Sequence, residues 1–377
     1  MMEAAHKLWT ADFGPGNGGV GYGQGMSFVT GTGLSSDSSA DPKGIPAFLP
    51  GSSGLAGASN VYVDSSVAHD KEGENITVHE VGHFETSGYM AFVGGYAEQF
   101  GDFVRHYCCP SNSYTYLAAL PLLRNNRHMN HLAARFKSAD LTDYGPISLD
   151  TSYNGGFFWA FFVTQFGRRS FFNLLKSRKM RLTGANGEHS VEAWGVITKH
   201  VGLKDPQALL DLWLRDTLTL AYLRRDALRM AAARKYLTNQ KKQTDDIVDA
   251  NLMWTHCNTQ IVPLEPFGFA VHNVATLCTK AKLVAGTQAR LTVESALPPV
   301  NWVFVFLRVT GNASPSPSTY ELMSTRGGSS TIVVVPGKGI RLIVAIAHTY
   351  TGSMKGNRLQ VGSSVAVPYV ISIAALS

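Results

Sequence analysis

Five consecutive residues, His79-Glu80-Val81-Gly82-His83, carry the most specific chemistry in the chain. On a helix, residues four apart share a face, so the two imidazoles can be aimed at one point. Neutral imidazole nitrogens so placed suit a Zn²⁺ ion, with the carboxylate of Glu80 beside them. Zinc lowers the pKa of a bound water towards ~7, and an adjacent carboxylate can take its proton as it attacks a carbonyl. The pattern points to metal-assisted hydrolysis, with His79 and His83 as ligands, Glu80 as general base and Zn²⁺ as cofactor.

A catalytic zinc needs a third protein ligand and one open position. The continuation FETSGYM has neither Gly nor His where an HExxHxxGxxH site requires them, which argues against that class. Glu85 lies two residues beyond His83 and points away from the metal face. In GGYAEQFGDF, Glu98 and Asp102 are four apart on a second predicted helix running from Tyr96 to about Tyr107, so both can face the first.

HEVGH followed by GGYAEQFGDF resembles the gluzincin pattern of thermolysin-like zinc metallopeptidases, over residues 77–103. The chain is also similar, more weakly, to HExxH proteins with a helical middle and a β-rich tail. The gluzincin resemblance implies that a Glu on the second helix completes the metal site. It also implies that an Asp four residues later supports the first His. Carried onto this sequence, Glu98 is the ligand and Asp102 the hydrogen-bond partner of His79, which would set its tautomer and basicity. Fourteen residues separate His83 from Glu98 and eighteen separate it from Asp102. The usual gluzincin interval is longer than the first, so spacing favours Asp102 as ligand, whereas the ExxxD order favours Glu98. Glu98 is the expected ligand.

Peptide hydrolysis also needs a donor for the developing oxyanion. His106, His128, His131, Tyr144 and Tyr153 are candidates, and Tyr153, at the entry to an apolar helical region, is the expected one. The pair His128 and His131 has no nearby acids and reads as structural rather than as a second metal site.

These residues need elements to hold them. Residues 13–58 are rich in Gly, Ser and Pro and read as loops, with a short strand at Met26 to Thr30. Asn60 to Asp64 alternates like a strand. Asn75 or Thr77 can cap the helix that carries HEVGH, within an active-site helical region over 75–108. Helical patterns then fill 153–240, with Gly167 as a break inside FFWAFFVTQFGRRSFFNLLK. Beyond a linker, β-branched and aromatic runs start near Phe267, Ala289, Trp302, Ser330, Ile340 and Ala366, separated by turns such as PGKG. The expected fold is α+β: a zincin-like metallopeptidase domain with helical completion over 1–250, then an all-β sandwich-like domain over 262–377.

Composition narrows the partners. With 45% apolar and 16% charged residues, the chain has ample material for a core. No apolar stretch reaches the ~18 residues of a spanning helix, so no membrane span is expected. The opening MMEAAHKLWTADFGPG shows no basic region followed by an apolar one, so no secretory signal is read there. Residues 262–377 hold nine basic and three acidic residues and so account for the whole net charge of +6. That excess is not gathered into a dense run, so no nucleic-acid partner is expected. Four cysteines without CxxC spacing exclude a disulfide framework and a cysteine zinc site. The expected partner is a peptide or protein substrate. The alternative is an inactive zincin scaffold whose C-terminal domain contacts a glycan or protein through Trp302, Tyr320 and Tyr350.

Overall fold

In a computed structural model of the chain, the described residues are 27–31, 47–48, 60–64, 78–79, 82, 101, 103–104, 158–159, 161–177, 193–223, 264, 268–311, 319–349 and 367–376. They fall into two compact units, those up to 177 in the first and those from 193 onward in the second. The content is mixed helix and sheet, an α+β chain. Of the helical stretch expected over 153–240, the described residues up to 177 lie in the first unit and 193–223 in the second.

In the first unit, β1 (Ser27–Gly31) pairs in parallel with β3 (Asn60–Asp64), and β2 (Ala47–Phe48) pairs antiparallel with the other edge of β3. Val78, His79 and Gly82 are helical and buried, as are Gly101, Phe103 and Val104 further along. Residues 161–166 and α1 (Arg168–Lys176) are two helices that break at Gly167. Its φ of 86° and ψ of 156° belong to a region only glycine occupies freely. Around this break Phe158, Trp159, Phe162, Phe171, Leu174 and Leu175 are buried. Phe171 is the hub, with ring centroids 5.0 Å from Phe103 and 5.7 Å from Trp159. At ~100° per residue Phe103 lies about 200° around its helix from Gly101. One side of that helix therefore meets the aromatic cluster, while the opposite side is left for His79.

The second unit has three layers. A four-stranded antiparallel sheet runs in the order β4 (Phe269–Asn273), β9 (Ile340–His348), β6 (Trp302–Thr310), β7 (Tyr320–Arg326). A three-stranded antiparallel sheet runs β10 (Tyr369–Ala375), β5 (Gln288–Ser295), β8 (Ser330–Val334). Alternate residues share one core between the sheets: Trp302, Phe304 and Phe306 of β6, Val344 and Ile346 of β9, and Leu291, Val293 and Ile371 opposite. The intervening residues Val303, Val305, Leu307, Ile343, Ala345 and Ala347 are buried too. Their face of the sheet is covered by α3 (Pro206–Leu223), against which α2 (Ala193–His200) packs. Burial on both faces explains the unbroken apolar runs of β6 and β9, since an alternating pattern marks a strand with one wet face.

Polar bonds fix α3 to the sheet. Arg215 Nη1 donates to Leu322 O at 3.2 Å and Nη2 to Ser324 Oγ at 2.7 Å, both on β7. Its Nε donates to Asp211 at 3.1 Å, which braces the side chain one turn back. Gln207 Nε2 donates to Val300 O, and Arg326 stands 4.0 Å from Asp205. Beyond β4, Asn273 accepts from Ala275 N at 2.9 Å and so caps the short helix α4 (Val274–Lys280). Among the described residues, no helix is long and apolar enough to cross a membrane.

Candidate metal centre

His79 lies on a helix between Val78, fully buried, and the buried Gly82. Its own residue is 6% exposed. A polar side chain held that far from water requires partners, and His79 is not without one. What packs against its ring is the second helix. At Gly101, a Cβ would stand 2.6 Å from His79 Cε1, 2.7 Å from Nε2 and 2.8 Å from Nδ1. Contacts that short are possible only because position 101 carries no side chain. His79 and Gly101, one from each half of the motif, are therefore in direct contact.

Of the sequence-derived site residues, His79 is the one the described structure contains. Glu80, His83, Glu98, Asp102 and Tyr153 lie outside the described residues, as do His128 and His131. Among the described residues no three His, Cys, Asp or Glu side chains come together. Packing on the Gly101 backbone limits the orientations open to the His79 ring, which is compatible with a metal ligand. Gly101 is the residue that motif reading passes over. The available signal was a glycine inside a predicted helix, which costs about 1 kcal/mol relative to alanine and so calls for a packing reason.

The second unit holds another group of buried rings. His272 on β4 and Tyr369 on β10 share a hydrogen bond, His272 Nε2 to Tyr369 Oη at 2.9 Å. Burial pushes the His272 pKa down to about 4 and the Tyr369 phenol up. At neutral pH the pair is therefore an uncharged cross-sheet link and not an ion site. His348 Nε2 donates to Leu264 O at 2.9 Å, which ties β9 to the lone bridge between Leu264 and Val367.

Trp302 corrects one expectation. It is fully buried, its ring centroid 5.4 Å from His348 and 6.0 Å from Tyr369. It belongs to the core between the two sheets, with Phe304 and Phe306 on the same face of β6. It offers no surface to a glycan or protein. Tyr320 is half-buried, and Tyr350 lies outside the described residues.

Comparisons with protein families, with curated proteins and with solved structures return no match for this chain.

Proposed function

We propose that the chain is a zinc-dependent metallopeptidase whose zincin-like catalytic part carries the HEVGH motif, followed by a sandwich-like β domain. His79, His83 and Glu98 hold the metal in this reading, and Asp102 hydrogen-bonds His79. Zinc, when bound, supplies Lewis acidity at the scissile carbonyl and at the attacking water. Glu80 orients that water, accepts its proton and returns it to the departing amine. Tyr153 donates to the oxyanion that develops on the peptide carbonyl.

The observation that supports this reading is the packing of the His79 ring on Gly101. Gly101 stands three residues after Glu98 and one before Asp102 in the sequence, so the residue that meets the first histidine belongs to the motif expected to complete the site.

Metal analysis of wild type beside His79→Ala, Glu98→Ala and Asp102→Ala tests the ligand set. About one zinc per chain is expected in wild type, with metal lost in His79→Ala and Glu98→Ala. Metal loss in Asp102→Ala with retention in Glu98→Ala reverses the roles of the two acids. Glu80→Gln is expected to keep zinc and to lose at least 100-fold in peptide cleavage, the usual worth of a positioned general base. Wild type purified without zinc after growth with the metal refutes the proposal, and zinc without cleavage across a broad peptide library favours the inactive scaffold.

A further inference from the structure

We infer that Gly101 is a positioning residue of the proposed zinc site, glycine because any side chain there would displace the His79 ring; the functional half of this inference rests on the zinc reading above. The three distances define how the ring lies. Had the imidazole approached by its edge, Cε1 would stand nearer than both nitrogens by most of an ångström. Instead a Cβ at position 101 would be almost equally far from Cε1, Nε2 and Nδ1, at 2.6, 2.7 and 2.8 Å. The ring therefore lies face-on over Gly101. Imidazole lone pairs lie in the ring plane, so a face-on ring directs its nitrogens along the surface of the second helix and not into it.

A methyl at position 101 stands far inside the ~3.5–4.0 Å at which carbon atoms pack. The group it meets is a rigid ring on a buried helical residue, with few alternative rotamers to retreat into. The ring must tilt or the two helices must part, and either change re-aims the nitrogens. Gly101 thus acts through His79, without touching metal or substrate.

Wild type, Gly101→Ala, His79→Ala and the double variant decide the matter, each measured without metal for thermal midpoint and then titrated with Zn²⁺ alone against a competing chelator. Without metal, Gly101→Ala lowers the midpoint of wild type by about 4–8 °C, as overpacking outweighs helix propensity. In the His79→Ala background the same change raises it by about 2–4 °C, because alanine is the better helix former and the space is empty. If Gly101→Ala fails to fold by itself, the double variant still folds. Zn²⁺ affinity of Gly101→Ala falls about 10–100-fold, the usual effect of disturbing a group behind a metal ligand. The visible absorption of the Co²⁺ form changes shape as ligand geometry shifts. Equal midpoint changes in both backgrounds, or a double variant that does not fold, overturn the packing argument. Unchanged Zn²⁺ affinity in Gly101→Ala overturns the positioning role. A wild type that binds no Zn²⁺ refutes the zinc reading and the positioning role with it, while the metal-free comparison still decides whether the ring excludes a side chain.

Discussion

Acid should weaken the second unit through His272, and the size of the effect follows from its burial. The residue is 3% exposed, and its bond to Tyr369 Oη at 2.9 Å joins β4 of one sheet to β10 of the other. Its pKa falls from 6.5 to about 4, chiefly because burial disfavours the charged ring. In the unfolded chain the ring takes up its proton near 6.5, so below that pH the unfolded state binds more protons than the folded one. Stability is complete above pH 6.5 and is lost as pH falls towards 4. At ~1.36 kcal/mol per pH unit the full loss is about 3 kcal/mol, with about 2 kcal/mol gone by pH 5. Urea unfolding of wild type and His272→Gln from pH 7.5 to 4 isolates this contribution. Glutamine keeps a polar group able to meet Tyr369 but does not titrate, and carboxylates and the other histidines contribute alike to both proteins. Wild type is expected to lose about 3 kcal/mol more than the variant across the range. Parallel stability profiles would show that His272 is solvated or charged in the fold and would refute the reasoning.

Two further substitutions probe how the elements are held. Arg215→Ala removes the donors to Leu322 O and Ser324 Oγ and should cost about 2 kcal/mol in urea unfolding, with Arg215→Lys recovering less than half because an ammonium cannot span both acceptors. An Arg215→Ala protein as stable as wild type would remove α3 docking from the account. Gly167→Ala meets no atom within 4 Å, so its cost is that of the positive φ, about 1–3 kcal/mol of stability for the first unit, read by urea unfolding. No loss of stability there would mean that the break between the two helices is not held in this conformation.

Several elements were legible because local chemistry announces them. The short strands near residues 27–31 and 60–64, the break at Gly167 and the apolar runs of β6 and β9 follow from residue type and turn placement. β7 was not, for YELMSTR has no apolar run. It is an edge strand whose residues are exposed or half-buried, and pairing with β6 makes it a strand. The helix α4 was also hidden, because VATLC continues the β-branched character of β4 until the side chain of Asn273 caps the next backbone amides.

By itself the sequence determined the chemistry on offer at HEVGH, since the four-residue spacing and the helix period lie within one segment. It also determined the strand-rich character of the C-terminal third. Only tertiary structure decided that the His79 ring rests on Gly101, that Trp302 faces inward, and that His272 reaches Tyr369, 97 residues away. Each of these joins residues distant along the chain, and a contact between distant residues depends on how whole elements pack and register. No local propensity encodes that.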